Sequence, residues 1–421
     1  MRTLDEHTFP QFPNKDAGRP RWLVMKFGGT SVSSADRWAT IAELAKERLE
    51  HGFRPVIVHS ALATVSNRLE TVIKAASDGD YHQHLQEIRL LHLDLAADLD
   101  LDGKELTREF LTDLGDLLGT VREVGHADPN TYARIMATGE LLATTIGAAY
   151  LQQQGHDVSW VDARDVLKSV PTPGENERTA FFAASCASET DEGVQDLFHR
   201  QGGLIVTQGF IASNQDGECV LLGRGGSDTS AAYFAAKLQA AGLEIWTDVP
   251  GLFSADPRVV SGARLLHVLS YGEAQEIAST GGAVLHPRCL RPAREQGIDM
   301  RVRCTHQPEL AGTLISRDSA LNTPGLKSLS SRENITVISM ETLGMWQEAG
   351  FLADAFKCFA DLGLSIDLVS AAESNVTVTL DPGRDVIDEP TLSRLRDSLE
   401  SLCRVEIIEN TEIVSLVGHK I

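Results

Sequence analysis

Six short apolar runs constrain this chain more than anything else in it: WLVMKFGGTSV (Trp22–Val32), RPVIVHSALATVSNRL (Arg54–Leu69), VSWVDARDV, GLIVTQGF, LEIWTDVPGLF and IDMRVRC. Each is separated from the next by a helical pattern or a long connection. Strands alternating with helices predict a mainly parallel sheet sandwiched between helices. In such sheets ligands gather at the carboxyl ends of the strands. The polar turns of this sequence all fall there: Lys26-Phe27-Gly28-Gly29, Ser60, Thr207-Gln208-Gly209-Phe210, Gly223–Asp228 and Thr247-Asp248. That coincidence is a stronger signal than any single motif.

The richest of these turns lies in LLGRGGSDTSAAYFA, Leu221 to Ala235. Gly223, Gly225 and Gly226 let the backbone come close to a ligand, and Ser227-Asp228-Thr229-Ser230 offers N-cap residues before a run of good helix formers. A glycine loop opening a helix aims N–H groups and a positive dipole end at an anion. Arg224 adds a fork suited to carboxylate or phosphate, and Asp228 a counter-charge for an ammonium group or metal ion. Glycine turns also serve as plain connectors, so the motif needs its neighbours. Lys26, at the end of its strand, reads either as a snorkelling edge lysine or as a phosphate-binding cation. Neither a P-loop nor a complete dinucleotide fingerprint occurs. Ser60 and Ser66 are of a type more often found as caps than as ligands. A lone helical glutamate such as Glu140 is normally solvated. Thr30 and Ser31 are placed to start a helix. His82, His84 and His92, in a helical stretch over residues 81–122, read as surface residues.

Charge narrows the function classes. A formal net charge of −21 over 421 residues argues against nucleic acid and anionic membrane surfaces. No apolar run is long enough to span a membrane. The six cysteines are scattered without a C-x-x-C pair, which predicts reduced thiols in a cytoplasmic protein. Residues 1–20 read as a mobile tail without a signal peptide. Residues 321–331, LNTPGLKSLSS, read as a polar linker. Beyond it, ITVISM, GFLADAFKCFADLGL, SIDLVS, NVTVTL, LSRLRDSLESL and VEII spell a βαββαβ unit of ferredoxin-like type over 332–421. One more strand, EIVSLVG, follows and suggests a partner element elsewhere.

KFGGTSV, ATGELLAT, VTQGFI, GRGGSD, WTDVPGLFSADPRVV and GAVLHPR occur in that order over about residues 22 to 290. With these motifs the chain resembles aspartate kinases of the amino acid kinase family, followed by an ACT-type regulatory domain. METLGMWQEAGFLADAF further looks like the kinase half of bifunctional enzymes fused to diaminopimelate decarboxylase. The resemblance implies a catalytic domain over 21–320 that uses ATP and Mg²⁺ to phosphorylate the side chain of L-aspartate. That step opens the route to lysine, threonine, methionine and diaminopimelate. By family match, Lys26 stabilises the transferring phosphoryl group with the N–H groups of Gly28 and Gly29, and Asp228 joins it. Ser60, Ser66, Glu140, Phe210, Arg224, Gly225, Gly226 and Ser227 would hold the amino acid. Arg224 would take the α-carboxylate, with Glu140 and Asp228 on the ammonium. Thr247, Asp248, Phe253 and Arg258 would line the nucleotide, with no protein metal site of their own. Phe253 stands where the family often has tyrosine, and Ala283 where many members have lysine. Met345, Gly350, Phe351, Leu352, Ile366, Asp367 and Glu373 fall where a regulatory lysine or threonine is bound. The ACT-type unit would also make a homodimer, and the chain ends where the family would begin a second such unit. Two alternatives stay open: a relative acting on glutamate, acetylglutamate or carbamate, and an amino-acid-sensing subunit without catalysis.

Overall fold

The run WLVMKF is apolar on both faces because helices cover both sides of the sheet it enters. In the computed structural model, which describes residues 21–171, 176–281, 284–317, 324–341, 350–381 and 388–421, it lies in β1 (Arg21–Phe27). The other strands up to Ser316 are β2 (Phe53–His59), β3 (Val158–Val161), β4 (Leu204–Gln208), β5 (Ile211–Ser213), β6 (Cys219–Leu221), β7 (Gly242–Thr247), β8 (Val268–Ser270), β9 (Met300–Cys304) and β10 (Thr313–Ser316). Eight of them form one sheet in the order β3-β4-β2-β1-β7-β9-β10-β8, with β5 and β6 as a separate hairpin. From β3 to β9 every pairing is parallel, and β10 runs antiparallel to β9. The expected mainly parallel, helix-sandwiched sheet is what forms.

The described chain divides into two compact units: residues up to Lys327 with Gly418–Ile421, and Ser328–Val417. The second holds a four-stranded sheet in the order β12 (Ile366–Ala371), β13 (Asn375–Leu380), β11 (Gly325–Glu341), β14 (Arg404–His419). With the helices Phe351–Asp361 and Glu389–Glu400 between the strands, this is the βαββαβ order. Its core is Ile338, Met340, Phe359, Val378, Leu380 and Leu395 with their neighbours.

Four local expectations are corrected. From Gly325 the stretch read as a linker is strand, with polar side chains on a backbone laid beside β14. VEII and EIVSLVG are one strand, because Asn410 takes a left-handed φ of 55° without ending it. The first long helix starts at Ala35 behind Ser34, and Gly29–Ser31 forms only a 3₁₀ turn. His92 is fully buried: it lies four residues after Ile88 and three before Leu95, on the apolar face of the helix His82–Asp98.

Candidate active site

The parallel register brings four strand ends level. Phe27 pairs with His59 and with Trp246, and His59 with Gln208. Gly28, Ser60, Gly209 and Thr247 therefore leave the sheet side by side. The chain passes from β1 to β2 on one side while β7 flanks β1 on the other, which makes a switch-point crevice at β1.

Two turns are pressed together at its floor. A Cβ on Gly29 would stand 2.9 Å from the Ala61 carbonyl oxygen, so only glycine allows this approach. Ser33 bridges the same turns: its hydroxyl donates to the Gly29 carbonyl at 2.6 Å and accepts from Ala63 N–H at 2.8 Å. Ser31 and Thr305, both buried, share a hydroxyl hydrogen bond of 2.7 Å, and Thr305 N–H donates to the Thr247 carbonyl. The Gly28 N–H donates to the Trp246 carbonyl at 3.3 Å. It is engaged by β7, contrary to its expected role as a free phosphate donor.

The helix Gly226–Leu238 opens at the glycine loop, with Gly225 as N-cap at φ 62°. Ser227–Ser230 lie inside the helix and do not cap it, since a glycine alone accepts that left-handed turn here. In the first helical turn Asp228 Oδ1 approaches Lys26 Nζ to 2.6 Å, with both side chains about nine-tenths buried. The contact is one of charge without hydrogen-bond alignment, and among the described residues Oδ1 has no hydrogen-bond partner. Ser60 Oγ donates to Ser227 Oγ at 2.9 Å, joining β2 to the same turn. Phe210 takes φ 69°, rare for an aromatic residue, and its carbonyl accepts from Leu222 N–H at 2.8 Å. Arg224 is exposed, and Ser66 is half-buried in the first turn of the helix Val65–Ser77.

Glu140 is buried in the helix Pro129–Gln153, against the expectation for a lone helical glutamate. Burial raises its carboxyl pKa to about 8, although Oε1 accepts the Ala61 N–H at 3.2 Å. Its other oxygen has no partner among the described residues. A neutral acid beside the Ser60 turn is therefore ready to ionise when a cation arrives.

Thr247 ends β7 and Asp248 follows it, with the Thr247 hydroxyl donating to Asp248 Oδ1 at 2.9 Å. Phe253 is half-buried in the following loop. Arg258, further along, is exposed and paired with Asp256 at 2.7 Å. Ala283 lies outside the described residues. A cavity of about 460 Å³ elsewhere, lined by Arg134, Arg164, Lys168, Asp216 and Glu218 among others, includes none of these residues; the strand-end convergence is the better site because its groups are of one chemical purpose.

Residues 21–304 match the profile of the amino acid kinase family. Lysine-sensitive aspartokinase 3 of Escherichia coli is 32% identical over 401 residues, 94% of this chain and 87% of that protein. The chain belongs to the aspartokinases of the amino acid kinase family. The crystal structure of E. coli aspartokinase III with aspartate and ADP superposes with a TM-score of 0.79 at 31% identity, covering 94% of this chain and 87% of the other. The same enzyme with lysine and aspartate gives 0.75 with the same identity and coverage.

In this aspartokinase the candidate effector residues are scattered in burial. Gly350 caps its helix at φ 111°, Phe351 is buried in the core, Ile366 packs on that core, and Leu352 and Glu373 are exposed. Phe351 therefore acts as a core side chain. Asp367 is ion-paired with Arg332, which also reaches Asp381 at 3.1 Å. Met345 lies outside the described residues. Reading the sequence left out Ser33, Thr305, His286 and Arg288, all of which brace the aspartokinase turns. The motif GAVLHPR contained the last two, but their partners lie some sixty residues or more away along the chain.

Proposed function

We propose that this chain transfers the terminal phosphoryl group of ATP to the side-chain carboxylate of L-aspartate, giving 4-phospho-L-aspartate and ADP. A carboxylate oxygen bonds to the γ-phosphorus, the bond to the β–γ bridging oxygen breaks, and ADP leaves with that electron pair. The nucleophile has a reference pKa of about 3.9 and is already ionised, so no general base is required. Repulsion between carboxylate and triphosphate is the obstacle, and fixed positive charge with positioning overcomes it.

Lys26 is the cation at the reacting phosphoryl group. Its pairing with Asp228 places its ammonium group at the opening of the glycine-loop helix. Arg224 takes the α-carboxylate as a fork, and Glu140 takes the ammonium, losing its proton as the cation arrives. Ser60 and Ser227, already bonded to each other, fix the turn between them. Thr247, Asp248 and Phe253 line the nucleotide, with Arg258 released from Asp256. Mg²⁺ neutralises the phosphates. Among the described residues no three His, Cys, Asp or Glu side chains converge as a metal site. We further assign residues 332–421 to an ACT-type regulatory and dimerising unit, supported by its βαββαβ order and by the exposed Val414 and Leu416 of β14. The setting is cytoplasmic.

The observation that carries the reading is the Lys26–Asp228 contact, which joins the central strand to the glycine-loop helix at the switch point. A coupled assay of ADP release with a panel of acids tests it. Release with aspartate and none with glutamate, acetylglutamate or carbamate is expected; release indifferent to aspartate overturns it.

A further inference from the structure

The turn after the glycine loop in space is His286–Cys289, 60 residues later in sequence than the loop's end at Gly226. Its last three residues form the 3₁₀ turn Pro287–Cys289, and the His286 ring nitrogen accepts the Arg288 N–H at 3.3 Å. The Arg288 guanidinium donates to the Leu222 carbonyl at 2.7 Å, to the Ala184 carbonyl at 2.8 Å, to Ser185 Oγ at 3.1 Å and to the Ala183 carbonyl at 3.3 Å. Leu222 is the residue before Gly223. Ala184 N–H also donates to the Leu221 carbonyl at 2.9 Å, so Arg288 ties together two segments already in contact. A planar fork with five donors suits three converging carbonyls and a hydroxyl; a lysine cannot reach all four.

The same turn also supports the loop from below. A Cβ on Gly225, which has φ 62°, would stand 2.1 Å from His286 Cβ. Cys289, next to Arg288, is fully buried, and burial pushes its thiol pKa well above the ordinary value, with Asp228 adding to the rise and Lys26 opposing it. Arg224, by contrast, is exposed and makes no hydrogen bond or ion pair among the described residues. With no side-chain partner to hold it, the backbone that carries it sets where that side chain starts.

We propose that Arg288 is a positioning residue for aspartate binding: it fixes the entry of the glycine loop, and with it the place on the backbone from which Arg224 reaches the substrate carboxylate. The proposal rests on the reading of that loop as the aspartate clamp. A purely structural arginine would lower stability and affect both substrates alike; a positioning one acts on aspartate.

The test is steady-state kinetics of the full chain with Arg288→Met and Arg288→Lys, with thermal melting alongside. For Arg288→Met the KM for aspartate should rise at least tenfold while the KM for ATP stays within about twofold, and Arg288→Lys should fall between. Guanidinium ion at low, non-denaturing concentration should lower the aspartate KM of Arg288→Met and leave wild type unchanged. An aspartate KM within twofold of wild type, or equal rises for both substrates without rescue, overturns the proposal. If Arg288→Met does not fold, Arg288→Lys decides: a rise of threefold or more confined to aspartate supports it, and an unchanged value overturns it. A wild-type chain that releases no ADP with aspartate fails the functional reading itself, and this inference with it.

Discussion

Lys26, the penultimate residue of the central strand, and Asp228, in the first turn of the glycine-loop helix, are joined across 202 positions of sequence by a contact of 2.6 Å. The contact holds the lysine ammonium, about nine-tenths buried, against the first turn of that helix. A phosphoryl group arriving there competes with one carboxylate for a cation already in place. Lys26→Met should lower turnover by about 10²–10³, since one such transition-state contact is worth roughly 3 kcal/mol. The KM for aspartate should change far less. Turnover near wild type in that variant would remove Lys26 from the reaction.

With Glu140 in the proposed role, aspartate binding should depend on pH. In the free protein its carboxyl is pushed up to about 8 by burial, so it is neutral at pH 7. Binding an ammonium group needs its ionised form. The KM for aspartate should therefore fall as pH rises from about 6 to about 8.5, and Glu140→Gln should bind aspartate weakly with that slope flattened. An unchanged slope in Glu140→Gln would place the titrating group elsewhere.

Stability should carry the mark of two buried histidines. His59 and His92 have pKa values lowered by burial to about 4. An unfolded histidine takes its proton below about 6.5, a folded one here only below about 4. Their contribution is full above pH 6.5 and is lost as pH falls towards 4, by roughly 3 kcal/mol for each at pH 4. Glu140 acts in the opposite sense, weakening the fold as pH rises from 4.5 towards 8. Urea titrations at about pH 7.5 and pH 5 should show a smaller loss in His92→Leu than in wild type. Equal losses would mean that His92 is charged or exposed in the folded chain.

Arg332 occupies the carboxylate of Asp367, the residue expected to meet an effector's ammonium group. If a regulatory lysine binds at Asp367, as the resemblance implies, it has to displace or share that guanidinium. Calorimetry should show Arg332→Met binding lysine more tightly than wild type, and Asp367→Ala binding it less. Lysine binding unchanged in both variants would leave Asp367 with a structural role only.

The strand-and-turn repeat was legible because each parallel strand is buried on both faces and so is apolar nearly throughout, with its functional residues confined to the carboxyl end. The convergence of Gly28, Ser60, Gly209 and Thr247 followed from that pattern alone. The burial of Glu140 did not, because a helix read alone shows no sign of the Ala61 turn that covers it. His92 could have been placed from its spacing to Ile88 and Leu95, a periodicity that outweighs the polarity of one ring. Gly28 seemed a free donor because its partner, the Trp246 carbonyl, is set by pairing with a strand some 220 residues away. Arg288 escaped notice for the same reason: what it does depends on carbonyls, and carbonyls carry no sequence signal.

The central claim is that the side-chain carboxylate of aspartate accepts the phosphoryl group. Purified chain with ATP, Mg²⁺, aspartate and hydroxylamine traps an acyl phosphate as its hydroxamate. The account predicts β-aspartyl hydroxamate in step with ADP, abolished in Lys26→Met. ADP formed without hydroxamate, or hydroxamate undiminished in that variant, would contradict it.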